Sequence, residues 1–211
     1  MLHQINRLGK ALALQPAVVR ASSLHHPTQE FDDLVLRHDP QVTIRQPTAK
    51  EIGFLLEAAT ATIDAPLARL DTVARVLARD PETVWVFESS GRITGGFAFL
   101  YLNGLGVERL KANELDTRDP PSECLVGSGE PPVGCYWWLG VRLDRGPHGI
   151  SQVLEFLRGQ RFAHADFWMN PFTDDGVSFA TKMGFSRYHA AASPTLYRYV
   201  RKANRAAARG G

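Results

Sequence analysis

From Val42 the residues VTIRQP alternate apolar and polar, as a strand with one buried face requires, and a core domain begins there. After Pro47, the run AKEIGFLLEAA places Ile52, Leu55, Leu56 and Ala59 at helical spacing, with Thr48 positioned to cap the first turn. A second helical stripe runs from Leu67 to Ala78 and stops at Asp80-Pro81, because the residue before a proline is pushed out of the helical region. Two β-branched and aromatic runs follow, TVWVFE at 83–88 and ITGGFAFLYL at 93–102. The SSGR between them has the composition of a tight antiparallel hairpin.

Between Asn103 and Gly134 the pattern loosens. A short helix is expected at Val107 to Leu115, and Pro120-Pro121 and Pro131-Pro132 mark an irregular excursion of the length that usually carries function or motion. CYWWLGV at 135–141 resumes a buried strand, and a small loop with Gly146, Pro147 and Gly149 leads to a helix from Ile150 to Phe162. ADFWM at 165–169 is another strand. Asp174 to Met183 is another helix, with Gly184 where a left-handed cap is needed, and TLYRYV at 195–200 closes the sheet. The order is strand, two helices, hairpin, strand, helix, strand, helix, strand. This divides the chain into an N-terminal extension (1–41), a core domain (42–200) and a basic C-terminal tail (201–211).

Composition narrows the class. A chain of 211 residues is long enough to bury roughly 70% of its unfolded surface. With 44% hydrophobic and 22% charged residues it reads as an ordinary soluble globular protein. A net charge of +2 argues against a nucleic-acid partner, and no apolar run approaches a membrane span. Two cysteines, Cys124 and Cys135, form neither a disulfide framework nor a zinc motif, so a reducing, cytoplasmic setting and no metal are expected, with Cys135 a buried thiol. Residues 1–29 carry no acid, but Pro16 and Arg20 interrupt their apolar part, which favours an N-terminal arm or packed helix over a cleaved address. Arg198, Arg201, Lys202, Arg205 and Arg209 form a run without acids, read as a frayed, solvated end.

The chemistry starts at Leu139 to Leu157, LGVRLDRGPHGISQVLEFL. A strand passing through a small loop into a helix aims unpaired backbone N–H groups and the positive end of a helix dipole at one point, which suits a phosphate. The bland alternative is a tight strand-to-helix turn. No GxSxG, HExxH or Walker pattern occurs, which removes the commonest hydrolase and nucleotide-triphosphatase readings. Glu123 and Glu130 precede the central strand and are placed to take a proton from an ammonium group; Asp166, on an apolar strand, needs a partner or a shifted pKa. Strand alternation sends Trp137 to the face opposite Tyr136 and Trp138, so one side of this strand is free to line a pocket.

This order of elements, the phosphate-type loop after the middle strand and the Gly184-Phe185 helix end together resemble the GNAT superfamily of N-acetyltransferases over about 42–200. The resemblance implies an α/β (α+β) fold with a mixed, mostly antiparallel sheet of six to seven strands flanked by helices. It further implies a bulged fourth strand whose Leu139, Gly140 and Val141 hold the pantetheine arm of acetyl-CoA or another acyl-CoA. The pyrophosphate would lie on Arg145, Gly146, His148, Gly149, Ile150 and Ser151, with Asn170 a further CoA contact. The family's Gln/Arg-x-x-Gly-x-Gly/Ala pattern is met by Gly149 and Ser151 but has Gly146 where the basic residue belongs and Arg145 one place early. Pro147 also lacks an N–H to donate. Counting back from Gly184-Phe185 puts Ala180 where the family usually has a tyrosine acid. The implied activity is transfer of an acyl group to a small-molecule or peptide amine, with Glu130 and Asp166 as candidate bases and 103–134 as the acceptor wall. A GNAT-like module that binds CoA or another ligand without turnover, or a partner-binding protein that keeps only the fold, are the alternatives; a homodimer stays open.

Overall fold

A computed structural model describes residues 31–63, 65–143, 149–189 and 193–209. The N-terminal residues 1–30 and the loop residues Arg145, Gly146, Pro147 and His148 lie outside the described residues. The elements in order are β1 (Val42–Arg45), α1 (Ala49–Thr60), α2 (Leu70–Arg79), β2 (Val84–Ser89), β3 (Arg92–Leu102), α3 (Gly104–Lys111), β4 (Gly134–Arg142) and α4 (Ile150–Leu157). They continue with β5 (Asp166–Met169), α5 (Asp174–Lys182), β6 (Ser186–Arg187), β7 (Tyr197–Tyr199) and α6 (Lys202–Arg209). The strands form one seven-stranded sheet in the order β1-β2-β3-β4-β5-β7-β6. Every neighbouring pair is antiparallel except β4 with β5.

Local signals account for most of these boundaries. Thr48 accepts from the Glu51 N–H while the Glu51 carboxylate accepts from the Thr48 N–H at 2.7 Å, a reciprocal cap that fixes the start of α1. At the β2–β3 turn Ser90 and Gly91 both have positive φ, 51° and 72°, the pair of left-handed residues that a two-residue hairpin turn demands. Gly184 has φ 82° and ends α5, with the Phe185 N–H donating to the Ala180 carbonyl at 3.0 Å.

Helices cover both faces of the sheet. Phe87, Phe97, Phe99, Cys135, Trp137 and Phe167 pack with Val153, Leu154, Leu157 and Ala180 on the α4–α5 side. Val84, Val86, Ala98, Leu100 and Tyr136 face α1, α2 and α3. Cys124 and Cys135 are free and buried, and burial pushes the Cys135 thiol well above its usual pKa.

Several boundaries differ from the sequence expectation. The stripe from Leu67 becomes helical only at Leu70, because Arg69 is extended, and this leaves Leu67 and Ala68 free to line a cleft. The short helix in the excursion starts earlier, at Gly104, where the Asn103 side chain accepts from the Gly106 N–H at 3.0 Å. The helix expected to reach Phe162 stops at Leu157, before Gly159, and resumes as one 3-10 turn at Gln160–Phe162; glycine disfavours a helix interior by about 1 kcal/mol. The basic end is not a frayed tail. Arg201 is buried, pairs with Asp32 at 2.9 Å and donates to the Leu157 and Phe162 carbonyls, and α6 follows directly. Phe31, fully buried among Phe167 and Tyr199, is clamped by Arg158, which donates to its carbonyl.

Candidate active site

Two irregularities meet at the middle of β4. Its register against β3 shifts so that Phe99 faces Trp137 and Ala98 faces Leu139, which makes Trp138 an extra residue and β4 a bulged strand. The bulge sends Trp138 and Leu139, adjacent in sequence, toward the same side of the sheet. The parallel pairing with β5 runs from Gly134–Asp166 to Trp137–Met169 and ends there, as β5 itself ends. From Trp138 onward β4 keeps β3 on one edge and, among the described residues, has no strand on the other. The β4–β5 pairing ends one residue before the bulge.

Asn170 is the first residue beyond the last β4–β5 pair. Its Oδ1 is buried and has no hydrogen-bond partner. A buried carbonyl oxygen left unpaired costs about 1–3 kcal/mol, so this oxygen gains from any N–H or water that reaches it.

On the α1–α2 side, a cleft of about 710 Å³ including its open mouth runs along the bulge. Its walls come from Ile52, Leu55 and Leu56 of α1, Val73 of α2, Gly96 to Ala98 of β3, and Tyr136, Trp138, Leu139 and Val141 of β4. Gly96 allows this closeness: a Cβ there would sit 2.7 Å from the Trp85 carbonyl oxygen and 2.9 Å from Leu55 Cδ1. Phe172, Thr117 and Arg118 close the rim. The excursion brings Thr117 and Arg118 to the cleft rim, and α2 holds it there: Arg75 bonds Asp119, the Pro120 carbonyl and Ser122, and Arg79 bonds the Leu125 and Val126 carbonyls. Trp138 Nε1 donates to the Thr117 carbonyl at 2.7 Å. Arg118 is gripped by both oxygens of Asp116 at 2.9 and 3.0 Å, which holds the Asp116 carboxyl below its usual range.

Among the described residues Tyr136 is the one phenol in the cleft wall. Burial pushes its pKa up to about 12, against a smaller opposing effect of a hydrogen bond with Thr117, so it remains a neutral proton donor throughout the physiological range. Sequence alternation separates Tyr136 from Trp137 but neither puts it on a pocket side nor singles it out as a donor; only the cleft does so.

The carboxylates named as bases stand elsewhere. Asp166 lies opposite Gly134, four residues before Trp138, or ~13 Å along the strand at about 3.3 Å per residue. Both its oxygens are engaged, by Arg198, by Asn204 Nδ2 at 2.9 Å and by the Arg201 N–H at 3.3 Å. It anchors the C-terminal segment. Glu130, exposed and also before the start of β4, caps a turn by accepting from the Gly127 N–H at 2.7 Å. Glu123 is an exposed partner of Arg109 at 3.1 Å. None of the three lines the cleft.

Of the residues expected to hold an acyl-CoA, Leu139, Gly140 and Val141 lie on β4 beyond the last β5 pair, and Asn170 directly follows the end of β5. Arg145, Gly146 and His148 lie outside the described residues. Gly149 is the N-cap of α4, followed by Ile150 and Ser151, and brings no side chain to occupy the first N–H groups. A Cβ at Gly149 would lie 2.4 Å from Ile44 Cγ2 and 2.7 Å from Phe87 Cδ1, so glycine also lets α4 pack closely on β1 and β2. Ala180, at the position counted for the tyrosine acid, is fully buried in the core.

No protein-family profile and no curated protein matches the sequence. Solved structures do match. The loading GNATL domain of CurA from Lyngbya majuscula aligns with a TM-score of 0.51 at 12% identity, covering 75% of this chain and 97% of that one. Ard1 from Thermoplasma volcanium aligns with a TM-score of 0.47 at 14% identity, over 76% and 98%. A GNAT family acetyltransferase from Brucella melitensis in complex with acetyl-CoA gives 0.44 at 17%, over 78% and 89%. The fold is the GNAT fold, a mixed sheet flanked by helices with a bulged fourth strand.

Proposed function

We propose that this protein is an acyl-CoA-dependent N-acyltransferase, transferring an acetyl group directly from acetyl-CoA to an amine. The observation that carries the reading is the end of β4–β5 pairing beside the Trp138 bulge, with Asn170, whose Oδ1 is unpaired, next in sequence after β5. A thioester carrying an amide-rich arm answers both features: its amides pair with the open edge of Leu139 to Val141, and one amide N–H satisfies Asn170. The N–H groups at the start of α4, from Gly149 to Ser151, together with Arg145, Gly146 and His148, take the phosphates.

Acetyl-CoA supplies the acyl group in activated form. The chain's own residues then do two things. The open backbone of the bulged strand orients and polarises the thioester carbonyl by hydrogen bonding, and positioning of this kind accounts for a large part of the rate in acyl transfer. Tyr136 supplies a proton to the departing sulfur, the role left open by Ala180. Overall the N–C bond forms, the C–S bond breaks, and the ammonium group loses two protons, one to solvent and one that restores Tyr136 after the phenol has protonated the thiolate.

The burial of Ala180 favours a second reading, a module that binds acetyl-CoA without turnover. Release of free CoA thiol in the presence of an amine panel separates them: thiol release supports the transferase, whereas saturable acetyl-CoA binding with no thiol release supports the binding module.

A further inference from the structure

Among the described residues that line the cleft there is no carboxylate, and the one charged side chain, Arg118, already has Asp116 as its counter-ion. Ile52, Leu55, Val73, Val84 and Trp138 make the remaining surface almost wholly apolar. A polycationic acceptor entering here would lose hydration around each charge, a large penalty in an apolar setting, and the carboxylates of the adjoining groove, Asp71, Asp116 and Asp119, already have Arg69, Arg118 and Arg75 as counter-ions. An amine on a hydrocarbon body would lose little and gain from every methylene removed from water, by about four-fold each. The cleft is also continuous with the bulge: Trp138, Leu139 and Val141 belong to both.

We propose that the acceptor is a primary amine on an uncharged alkyl or arylalkyl body, which fills the cleft and presents its nitrogen at the Trp138–Leu139 bulge. This rests on the acyltransferase reading above. The same apolar walls disfavour the ammonium form and lower its pKa, so the free amine forms by losing one proton to water at the mouth, without a carboxylate base. On attack the N–C bond forms and the C–S bond breaks. One further N–H proton leaves the nitrogen, and the sulfur takes up one proton.

The test uses the full chain. Calorimetric titration with acetyl-CoA comes first, then thiol release at saturating acetyl-CoA with ethylamine, hexylamine, phenethylamine, spermidine and a peptide with a free N-terminus. The expected result is a kcat/KM that rises about four-fold per methylene from ethylamine toward hexylamine and favours hexylamine and phenethylamine over spermidine by at least about 100-fold, a difference of three to four methylenes. Leu56→Glu, or Phe172→Glu on the exposed rim should the first fail to fold, shifts the preference toward spermidine by about ten-fold or more, while acetyl-CoA binding stays within two-fold, roughly the tenfold that follows from placing a counter-charge of about 1.4 kcal/mol in the cleft. A flat dependence on chain length, spermidine or peptide as the better acceptor, or no turnover of any amine by protein that binds acetyl-CoA overturns this proposal and leaves the cofactor assignment standing. Absence of acetyl-CoA binding overturns the acyltransferase reading, and this inference with it.

Discussion

The indole N–H of Trp138 donates to the carbonyl of Thr117 at 2.7 Å, tying the extra residue of the β4 bulge to the loop that rims the cleft. Nothing in local sequence pairs these residues, which are 21 positions apart. The contact links the irregular excursion to the strand where the thioester carbonyl is proposed to sit. Trp138→Phe keeps an aromatic wall and removes the bond. Its expected effect is a loss of about 0.5–1.5 kcal/mol of stability and an acceptor KM raised several-fold with acetyl-CoA affinity unchanged. Urea unfolding and paired KM and Kd measurements check it.

Asn170 gives a prediction whose sign separates a ligand contact from a structural one. Its Oδ1 is buried and unpaired in the protein alone, so Asn170→Ala removes an orphaned acceptor and leaves thermal stability unchanged or raised. Acetyl-CoA affinity falls about two- to ten-fold, the worth of one neutral hydrogen bond. A structural asparagine would behave in the opposite way, with stability lost and affinity kept.

Tyr136→Phe is expected to lower kcat by about 10²- to 10⁴-fold, the usual range for a general acid, with acetyl-CoA binding intact. The pH dependence carries a further mark. An ordinary tyrosine is half ionised at about pH 10, whereas Tyr136 is held protonated up to about 12. The kcat profile of the wild-type protein should show no fall attributable to the donor between pH 8 and 10.

Acid should weaken α1, the helix that forms one wall of the cleft. Arg45 bonds both oxygens of Glu51, at 2.6 and 2.9 Å, and this holds the Glu51 pKa down to about 2 from 4.5. A carboxyl with a depressed folded pKa contributes stability that is complete above its unfolded pKa of 4.5 and is lost as pH falls toward about 2. In this window the unfolded chain binds more protons than the folded one, so stability drops as acid is added. Arg45→Met lowers unfolding free energy at pH 6 and flattens the slope between pH 4.5 and 2, as read from urea midpoints across the range.

The sequence carried the architecture in its periodicities. Thr48, Gly91 and Gly184 mark a helix start, a hairpin turn and a helix end, because each answers to backbone geometry over a few residues. The alternation in CYWWLGV set Trp137 on the face opposite Tyr136 and Trp138 without saying which face lines a pocket; the structure has Trp137 in the core and Tyr136 and Trp138 in the cleft wall. Tertiary partners were not legible. Asp166 has the local appearance of a buried, unexplained acid, yet its charge is met by Arg198 from β7, 32 residues away. Arg201 reads as part of a solvated basic run until Asp32, far off in sequence, pairs with it. The bulge at Trp138 is likewise a matter of register against β3, which no property of β4 alone reveals.

The central claim is that β4 beyond its last β5 pair receives an acyl-CoA. Isothermal titration of the full chain with acetyl-CoA, run in parallel on Asn170→Ala, tests it most directly. The account predicts saturable binding by the wild-type protein and a two- to ten-fold weaker Kd for the variant, one neutral hydrogen bond's worth. No heat and no thermal shift at millimolar acetyl-CoA would contradict it.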